Sequence, residues 1–109
     1  MKEAIQMKYA EFLTLCKSHN VKNIYAFGSA VTENFNDESS DIDLLIEIDT
    51  EDPIERGENL MNLWDKLEDF FQRKVDLLTN SSIKNPILRK NIDSTKILLY
   101  DGKEQKVSF

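Results

Sequence analysis

Apolar and acidic residues alternate from Asp41 to Ile48, in the stretch DIDLLIEI, except that Leu45 stands at one of the acidic positions. Successive side chains of a strand point to opposite faces, so this pattern predicts a strand with one apolar face. Asp41 and Asp43 point together to the other face, about 6.6 Å apart along the chain. An apolar strand face must be covered, so this stretch requires other elements packed against a sheet. The apolar face comprises Ile42, Leu44, Ile46 and Ile48.

Two longer stretches have apolar residues at helical spacing. Residues 2–19 predict an amphipathic helix, and a second helix follows Asp52, which can cap it, with Pro53 at its first position. Because Gly57 weakens the first turns, we expect the regular part of this second helix to begin near Glu58. Its predicted apolar stripe comprises Leu60, Trp64, Leu67 and Phe71.

Shorter apolar runs predict the remaining strands. Val21–Phe27 is rich in β-branched and aromatic residues, and Lys74–Thr79 and Lys96–Tyr100 are shorter runs of the same kind. A short helix is expected to start at Pro86. Strands that alternate with helices predict the α/β (α+β) class, with a small mixed β-sheet flanked by helices.

Length and composition exclude several classes of protein. The 109 residues suit one domain, residues 1–109, whose tail 101–109 has little to bury, which favours disorder. The net charge of −6 argues against nucleic acid as a partner, because phosphate contacts need a basic surface. No apolar run is long enough to span a bilayer, and the N-terminus lacks the apolar core of a signal peptide. The lone Cys16 excludes an intramolecular disulfide, which suits the cytoplasm.

Three carboxylates are candidate metal ligands. Asp41 and Asp43 share a strand face, and Asp76 stands among apolar residues in the predicted strand Lys74–Thr79. A buried carboxylate is costly unless it is paired or bound to a metal, so Asp76 is expected to meet the other two if its strand lies beside theirs. Mg²⁺ prefers carboxylate oxygens, and two-metal phosphoryl-transfer sites hold their ions about 3.5–4 Å apart. A solvated sheet face, with Asp76 facing water on an edge strand, gives the same pattern.

A glycine and a serine follow the strand Val21–Phe27. Gly28 permits a positive φ and lets a ligand approach the backbone closely, and the turn after it presents N–H groups that suit phosphate. Ser29 can add a hydrogen bond through its hydroxyl. Most Gly-Ser pairs are only turns. This pair is a candidate phosphate-binding turn because it stands eleven residues before the stretch that contains Asp41 and Asp43.

Taken together, the Gly28-Ser29 pair, the acids Asp41 and Asp43, and the later Asp76 resemble the signature of the nucleotidyltransferase superfamily related to DNA polymerase β. At this length the chain is similar to a minimal nucleotidyltransferase (MNT) domain, the kind often found as the antitoxin paired with a helical HEPN toxin. The likeness covers roughly residues 21–100 and includes the stretches YAFGS, SSDIDLLIEI, RKVDLLT and IKNPILRKNI. The resemblance implies the nucleotidyltransferase fold.

The resemblance also implies a role for each matching residue. Gly28 and Ser29 would bind the triphosphate of a nucleotide, and Asp41 and Asp43 would bind two Mg²⁺ ions. Asp76 would complete one metal site and help to deprotonate the attacking hydroxyl. The implied reaction transfers a nucleoside monophosphate, AMP from ATP, to a hydroxyl on a partner protein. The implied partner is a helical HEPN-type toxin, with this chain as its cytoplasmic antitoxin.

The chain departs from the family pattern next to the glycine and serine. Many relatives have arginine right after this pair and a further Arg-Gly pair, where this chain has Ala30, Thr32 and Glu33. A phosphate-binding cation is therefore missing, and this favours weak activity; Arg89 and Lys90 are candidate replacements. The alternative function is a non-catalytic or weakly catalytic binding module that neutralises a helical partner by forming a complex with it.

Other chemically reactive residues are interpreted as structural. Cys16 falls on the apolar stripe of the first helix and is predicted to lie in the core. His19, the only histidine, is predicted to be a residue of the helix C-terminus and not a catalyst. Trp64, Phe70 and Phe71 have helical spacing, which is typical of core residues more than of a base-stacking platform.

Overall fold

The computed structural model describes residues 2–28, 41–104 and 106–107. These residues form helices and strands in the alternating order that the sequence predicts, which confirms the α/β class. In chain order the elements are α1 (Lys2–Met7), α2 (Tyr9–Ser18), β1 (Val21–Phe27), β2 (Ile42–Ile48), α3 (Pro53–Phe71), β3 (Val75–Leu78), α4 (Pro86–Thr95), β4 (Ile97–Asp101) and β5 (Lys106–Val107).

The strands form one mixed sheet in the order β3-β2-β1-β4-β5. β2 and β3 run parallel, whereas β1 is antiparallel to β2 and β4, and β4 is antiparallel to β5. The parallel pair is joined by α3, as a parallel connection requires. β3 and β5 therefore lie at the two edges of the sheet.

Helices α1, α2 and α3 cover one face of this sheet. The even positions of β2 are buried there, as the alternation predicted, and pack with residues of the three helices in a single apolar cluster. Phe12 of α2 contacts Phe70 and Phe71 of α3, with ring centroids 5.5 and 6.4 Å apart. Burial of this apolar face is the main source of stability for the domain.

Helix α4 covers part of the opposite face. Ile92 packs there with Phe27 and Leu45 in a second, smaller cluster. Leu45 is only 1% exposed, so the face that carries Asp43 is not simply a solvated face.

The predicted first helix is interrupted at Lys8, where the backbone leaves the helical region (φ −121°, ψ 44°). The prediction of one continuous helix over residues 2–19 was therefore wrong. The Lys8 ammonium donates a hydrogen bond to the Phe70 carbonyl at 3.0 Å and lies 4.7 Å from the centre of the Phe70 ring. This tertiary contact with the end of α3 has no signature in the local sequence.

Helix α3 starts at Pro53, earlier than expected. Asp52 caps it by accepting a hydrogen bond from the Ile54 N–H at 3.3 Å, and the helix continues regularly through Gly57. The expected start near Glu58 was wrong because the cap and the proline outweigh the cost of one glycine. None of the helices within the described residues is long and apolar enough to cross a membrane.

The buried stripe of α3 is also shifted from the predicted one. Leu67 and Phe71 are buried as expected, whereas Leu60 and Trp64 are only partly buried. Leu63 and Phe70 complete the buried set. The helix therefore turns a broader face to the sheet than a narrow stripe suggests.

The C-terminal tail contributes to the sheet. Lys106 and Val107 pair with Asp101 and Tyr100 of β4. Val107 is 8% exposed and belongs to the main apolar cluster, so this part of the tail does bury a side chain. Local sequence does not reveal this pairing because only two residues form the strand.

Replacing Gly57 with alanine should raise the free energy of unfolding by about 0.5–1 kcal/mol. A Cβ at this helical position would have nothing within 4 Å, so the substitution adds no clash. Urea unfolding followed by circular dichroism measures the change. Gly102→Ala is the control with the opposite sign, since its Cβ would lie 2.7 Å from the Lys22 carbonyl oxygen. An unchanged value for Gly57→Ala would mean that the helix begins after this residue.

Candidate functional site

The candidate site lies at the end of the sheet where β1 finishes and β2 and β3 begin. Asp43 is in register with Phe27 on one side and with Asp76 on the other. Side chains in register on neighbouring strands point to the same face, and their Cα atoms are about 4.8 Å apart in a sheet. The tertiary structure therefore places Asp43 and Asp76 side by side, as the sequence pattern required if their strands were neighbours.

Asp41 immediately precedes β2 and is exposed. Spacing of two residues places it on the same side of the chain as Asp43. The next residue, Ile42, donates its N–H to the Lys74 carbonyl oxygen at 3.0 Å, which ties the start of β2 to the residue before β3. The three predicted acids, Asp41, Asp43 and Asp76, thus come from one end of two paired strands.

Gly28 ends β1 directly against the carboxylate of Asp43. Its φ is +62°, in the left-handed region that favours glycine, and a Cβ at this position would lie 2.6 Å from Asp43 Oδ2. Both the backbone conformation and the neighbouring carboxylate therefore demand a residue without a side chain. Ser29, the other predicted nucleotide-binding residue, lies outside the described residues, as do Ala30, Thr32 and Glu33.

The exposure of Asp76 corrects one step of the sequence argument. β3 is an edge strand and Asp76 is exposed on it, so the expectation of a buried carboxylate was wrong. The flanking residues Val75 and Leu77 are buried on the other face, which explains why the strand looked buried in the sequence. The case for Asp76 as a site residue now depends on its register with Asp43.

These carboxylates suit a hard divalent cation by their chemistry. Mg²⁺ binds carboxylate oxygens together with waters and substrate phosphates and does not need a complete cage of protein ligands. Among the described residues, no group of three acidic, histidine or cysteine side chains is close enough to hold a metal ion by itself. The donor set fits an ion that shares its coordination with a bound nucleotide.

Cys16 lies in the core and His19 at the C-terminus of α2, as predicted. Burial raises the pKa of the Cys16 thiol to about 12, so this thiol stays protonated and is a poor nucleophile. The His19 ring is 6% exposed, and its Nδ1 lies 2.8 Å from the Leu15 carbonyl oxygen, which it caps at the end of α2. Neither side chain belongs to the acidic site.

A cleft of about 480 Å³ lies at the other end of β2. It is about 13 Å along the strand from Asp43, by the rise of four residues. The arginines near it make contacts within the chain: Arg56 donates to the Thr50 carbonyl at 3.2 Å, and Arg89 donates to Asn80 Oδ1 at 2.8 Å. Arg89 therefore reaches Asn80, four residues beyond Asp76, and is not placed as a replacement for the missing arginine. The lining residues are Ile46, Glu47, Ile48, Pro53, Arg56, Gly57, Leu60, Thr79, Asn80 and Ser81.

Two residues next to the site were not singled out as site residues by the sequence. Glu68 and Trp64 of α3 both hydrogen-bond the backbone of Val75, the residue before Asp76. Trp64 was interpreted as a core residue, and Glu68 is indistinguishable in the sequence from the other polar residues of the helix. Their spacing of four residues, which places them on one helix face, was the only available signal.

Comparisons with known proteins show the family to which the chain belongs. Residues 11–105 match the family model described as polymerase beta, nucleotidyltransferase. A Methanocaldococcus jannaschii protein named as a candidate protein adenylyltransferase, MJ0126, is 40% identical over 85 residues, which cover 78% of this chain and 83% of that protein. The chain thus belongs to the polymerase β-like nucleotidyltransferase family, and its fold is that of a minimal nucleotidyltransferase domain.

Solved structures show the same fold. A structure described as a candidate minimal nucleotidyltransferase superposes with a TM-score of 0.67 at 24% identity, covering 87% of this chain and 92% of that one. A toxin–antitoxin structure with AMP-PNP superposes with a TM-score of 0.59 at 25% identity, covering 88% of this chain and 76% of that one.

Replacing Gly28 with alanine should lower the free energy of unfolding by about 1–3 kcal/mol, since the new Cβ adds backbone strain and meets Asp43. In an Asp43→Ala background the cost should fall by about 1 kcal/mol, because the obstructing carboxylate is gone and only the strain remains. Urea unfolding of the four proteins of this double-mutant cycle measures the coupling. Equal costs in both backgrounds would show that the two residues do not touch.

Proposed function

We propose that this protein is a Mg²⁺-dependent nucleotidyltransferase that transfers AMP from ATP to a hydroxyl on a partner protein. The observation that carries the proposal is the register of Asp43 with Asp76, next to a glycine whose Cβ would strike Asp43. The family membership supports the reaction class. The name of the 40% identical relative, a candidate protein adenylyltransferase, supports AMP as the group and a protein as the acceptor.

The acidic residues have distinct parts in this proposal. Asp41, Asp43 and Asp76 would hold two Mg²⁺ ions, which when bound would neutralise phosphate charge at the attacking and leaving oxygens. The acceptor hydroxyl oxygen forms the new bond to the α-phosphorus, the bond to pyrophosphate breaks, and Asp76 helps to accept the hydroxyl proton. The bare backbone at Gly28 would leave room for the triphosphate beside Asp43, and the Ser29 hydroxyl would add a hydrogen bond to it.

The acceptor arrives on another chain in this proposal. A domain of 109 residues with a net charge of −6 suits a protein acceptor better than a long polyanion. The toxin–antitoxin structures among the structural neighbours, one of them a HEPN toxin in complex with an MNT antitoxin, support a role as the antitoxin of such a pair, with a helical HEPN-type toxin as partner in the cytoplasm. The hydroxyl acceptor is then a side chain of the toxin, for instance a tyrosine.

A second candidate function is a binding module that neutralises its partner by covering it. The absence of arginine at Ala30 and the presence of Glu33 favour it, because the phosphates lose a cation and meet a negative charge. Both candidates use the same fold, and they differ in whether Asp43 is needed.

Incubation of the protein with α-labelled ATP, Mg²⁺ and its co-purifying partner should label the partner. Asp43→Asn should lower the rate at least about a hundredfold, the scale of losing one group that stabilises developing charge. Asp49→Asn is the matched control, since Asp49 is an exposed acid just beyond the other end of β2. Partner neutralisation that survives Asp43→Asn, without any transfer of label, would establish the binding module instead.

Stability measurements separate a metal site from a structural acid cluster. Asp76→Asn should leave the metal-free melting temperature unchanged or raised, because repulsion between neighbouring carboxylates is relieved. ATP with Mg²⁺ at a hundred times its Kd should stabilise the wild-type protein by about 2.7 kcal/mol and the variant by much less. If Asp41→Asn, Asp43→Asn and Asp76→Asn all lower the metal-free stability, the acids are structural.

A further inference from the structure

The outer side of β3 presents backbone groups that the sheet does not pair. The Lys74 carbonyl points towards β2, where it accepts the Ile42 N–H. Successive residues of a strand direct their N–H and C=O groups to opposite sides, so Val75 directs both of its groups away from β2. β3 is an edge strand, so among the described residues no further strand pairs with them.

Side chains of α3 take the place of that missing strand. The indole Nε1 of Trp64 donates to the Val75 carbonyl oxygen at 2.8 Å, and the Val75 N–H donates to Glu68 Oε2 at 2.9 Å. Both hydrogen bonds have ordinary lengths for strong contacts. One residue of the strand is therefore held at its donor and its acceptor by two side chains one helical turn apart.

Because they are buried, these two hydrogen bonds matter for the stability of the strand. Val75 is only 1% exposed, and Trp64 and Glu68 are partly buried, so water has poor access to the Val75 backbone. A buried backbone group without a partner carries a substantial free-energy penalty. Removal of either side chain would favour movement of the strand start away from α3, and Asp76 is the next residue along that strand.

We propose that Trp64 and Glu68 are positioning residues that hold the Asp76 carboxylate in register with Asp43. Neither side chain needs to touch the nucleotide or the metal, because both act through the Val75 backbone. This inference rests on the proposed function, because the effect that it predicts is on the affinity of the site for a divalent cation. Loss of such indirect support to a metal site typically lowers metal affinity by about 10–100-fold.

Two substitutions remove the two hydrogen bonds separately. Trp64→Phe keeps an aromatic ring but loses the indole donor and part of the ring volume, whereas Glu68→Ala removes the acceptor. Glu68→Gln keeps an oxygen that accepts from the Val75 N–H and should restore wild-type behaviour. Asp69→Ala is the matched control, because it removes an exposed carboxylate from the neighbouring position of α3.

Mn²⁺, which accepts carboxylate ligands as Mg²⁺ does, serves as the probe. Its Kd, measured by electron paramagnetic resonance in the presence of a non-hydrolysable ATP analogue, should rise at least about tenfold in the combined Trp64→Phe, Glu68→Ala variant. The Kd should stay within about twofold of wild type in Glu68→Gln and Asp69→Ala. Amide hydrogen exchange at Val75, followed by NMR, should become about tenfold faster in the combined variant.

Two outcomes would overturn the inference. In the first, exchange at Val75 becomes faster while the Mn²⁺ affinity stays at the wild-type value, which shows that the contacts are structural only. In the second, neither quantity changes in the combined variant. If Glu68→Gln binds Mn²⁺ as poorly as Glu68→Ala, the carboxylate charge acts and not the hydrogen bond, which overturns the inference as well.

Failure of the proposed function has a different signature. If the wild-type protein and Asp43→Asn bind Mn²⁺ equally poorly, the proposed metal site is absent. The role of Trp64 and Glu68 in positioning Asp76 is then tested by hydrogen exchange at the Asp76 amide, which pairs with β2. Faster exchange at Asp76 in the combined variant, reversed in Glu68→Gln, upholds the positioning role, whereas unchanged exchange overturns it.

Discussion

The parallel pairing of β2 with β3 is the constraint on which the candidate site depends. The hydrogen bond from the Ile42 N–H to the Lys74 carbonyl, at 3.0 Å, sets the start of this pairing and leaves Asp43 opposite Asp76. A slip of one residue would turn Asp76 to the opposite face, where apolar side chains pack under the helices. Burial of Val75 and Leu77 on that face makes such a slip costly, so the hydrophobic core itself holds the two acids together.

Helix α3 links the core to the site. Its apolar residues pack on the sheet. Its partly buried Trp64 and Glu68 form hydrogen bonds with the C=O and N–H groups of Val75 on the outer edge of β3. An edge strand of four residues has few ladder hydrogen bonds of its own, so these side-chain contacts add to its order. Asp41 and Asp76 are exposed and Asp43 is partly buried, while their backbone is held by buried contacts, which suits the proposed site for a charged nucleotide.

Some sequence predictions were confirmed because they rest on strong local periodicity. Val21–Phe27 is a strand with the predicted bounds, and the alternation in β2 gives the correct buried face. Other predictions were wrong where a tertiary contact competes with local propensity. Lys8 interrupts the first helix at its contact with Phe70, and Gly57 lies inside α3 in spite of its low helix propensity. The metal-binding roles of the acids remain predictions.

The sequence by itself determined which residue types are available and how they alternate. It identified Asp41 and Asp43 as a pair on one strand face and Gly28 as the end of the preceding strand, because both features depend on neighbours along the chain. Only the tertiary structure decided that Asp76 lies beside Asp43, is exposed, and follows a residue held by Trp64 and Glu68. These facts depend on which strands pair and at which register, and long-range burial sets that choice.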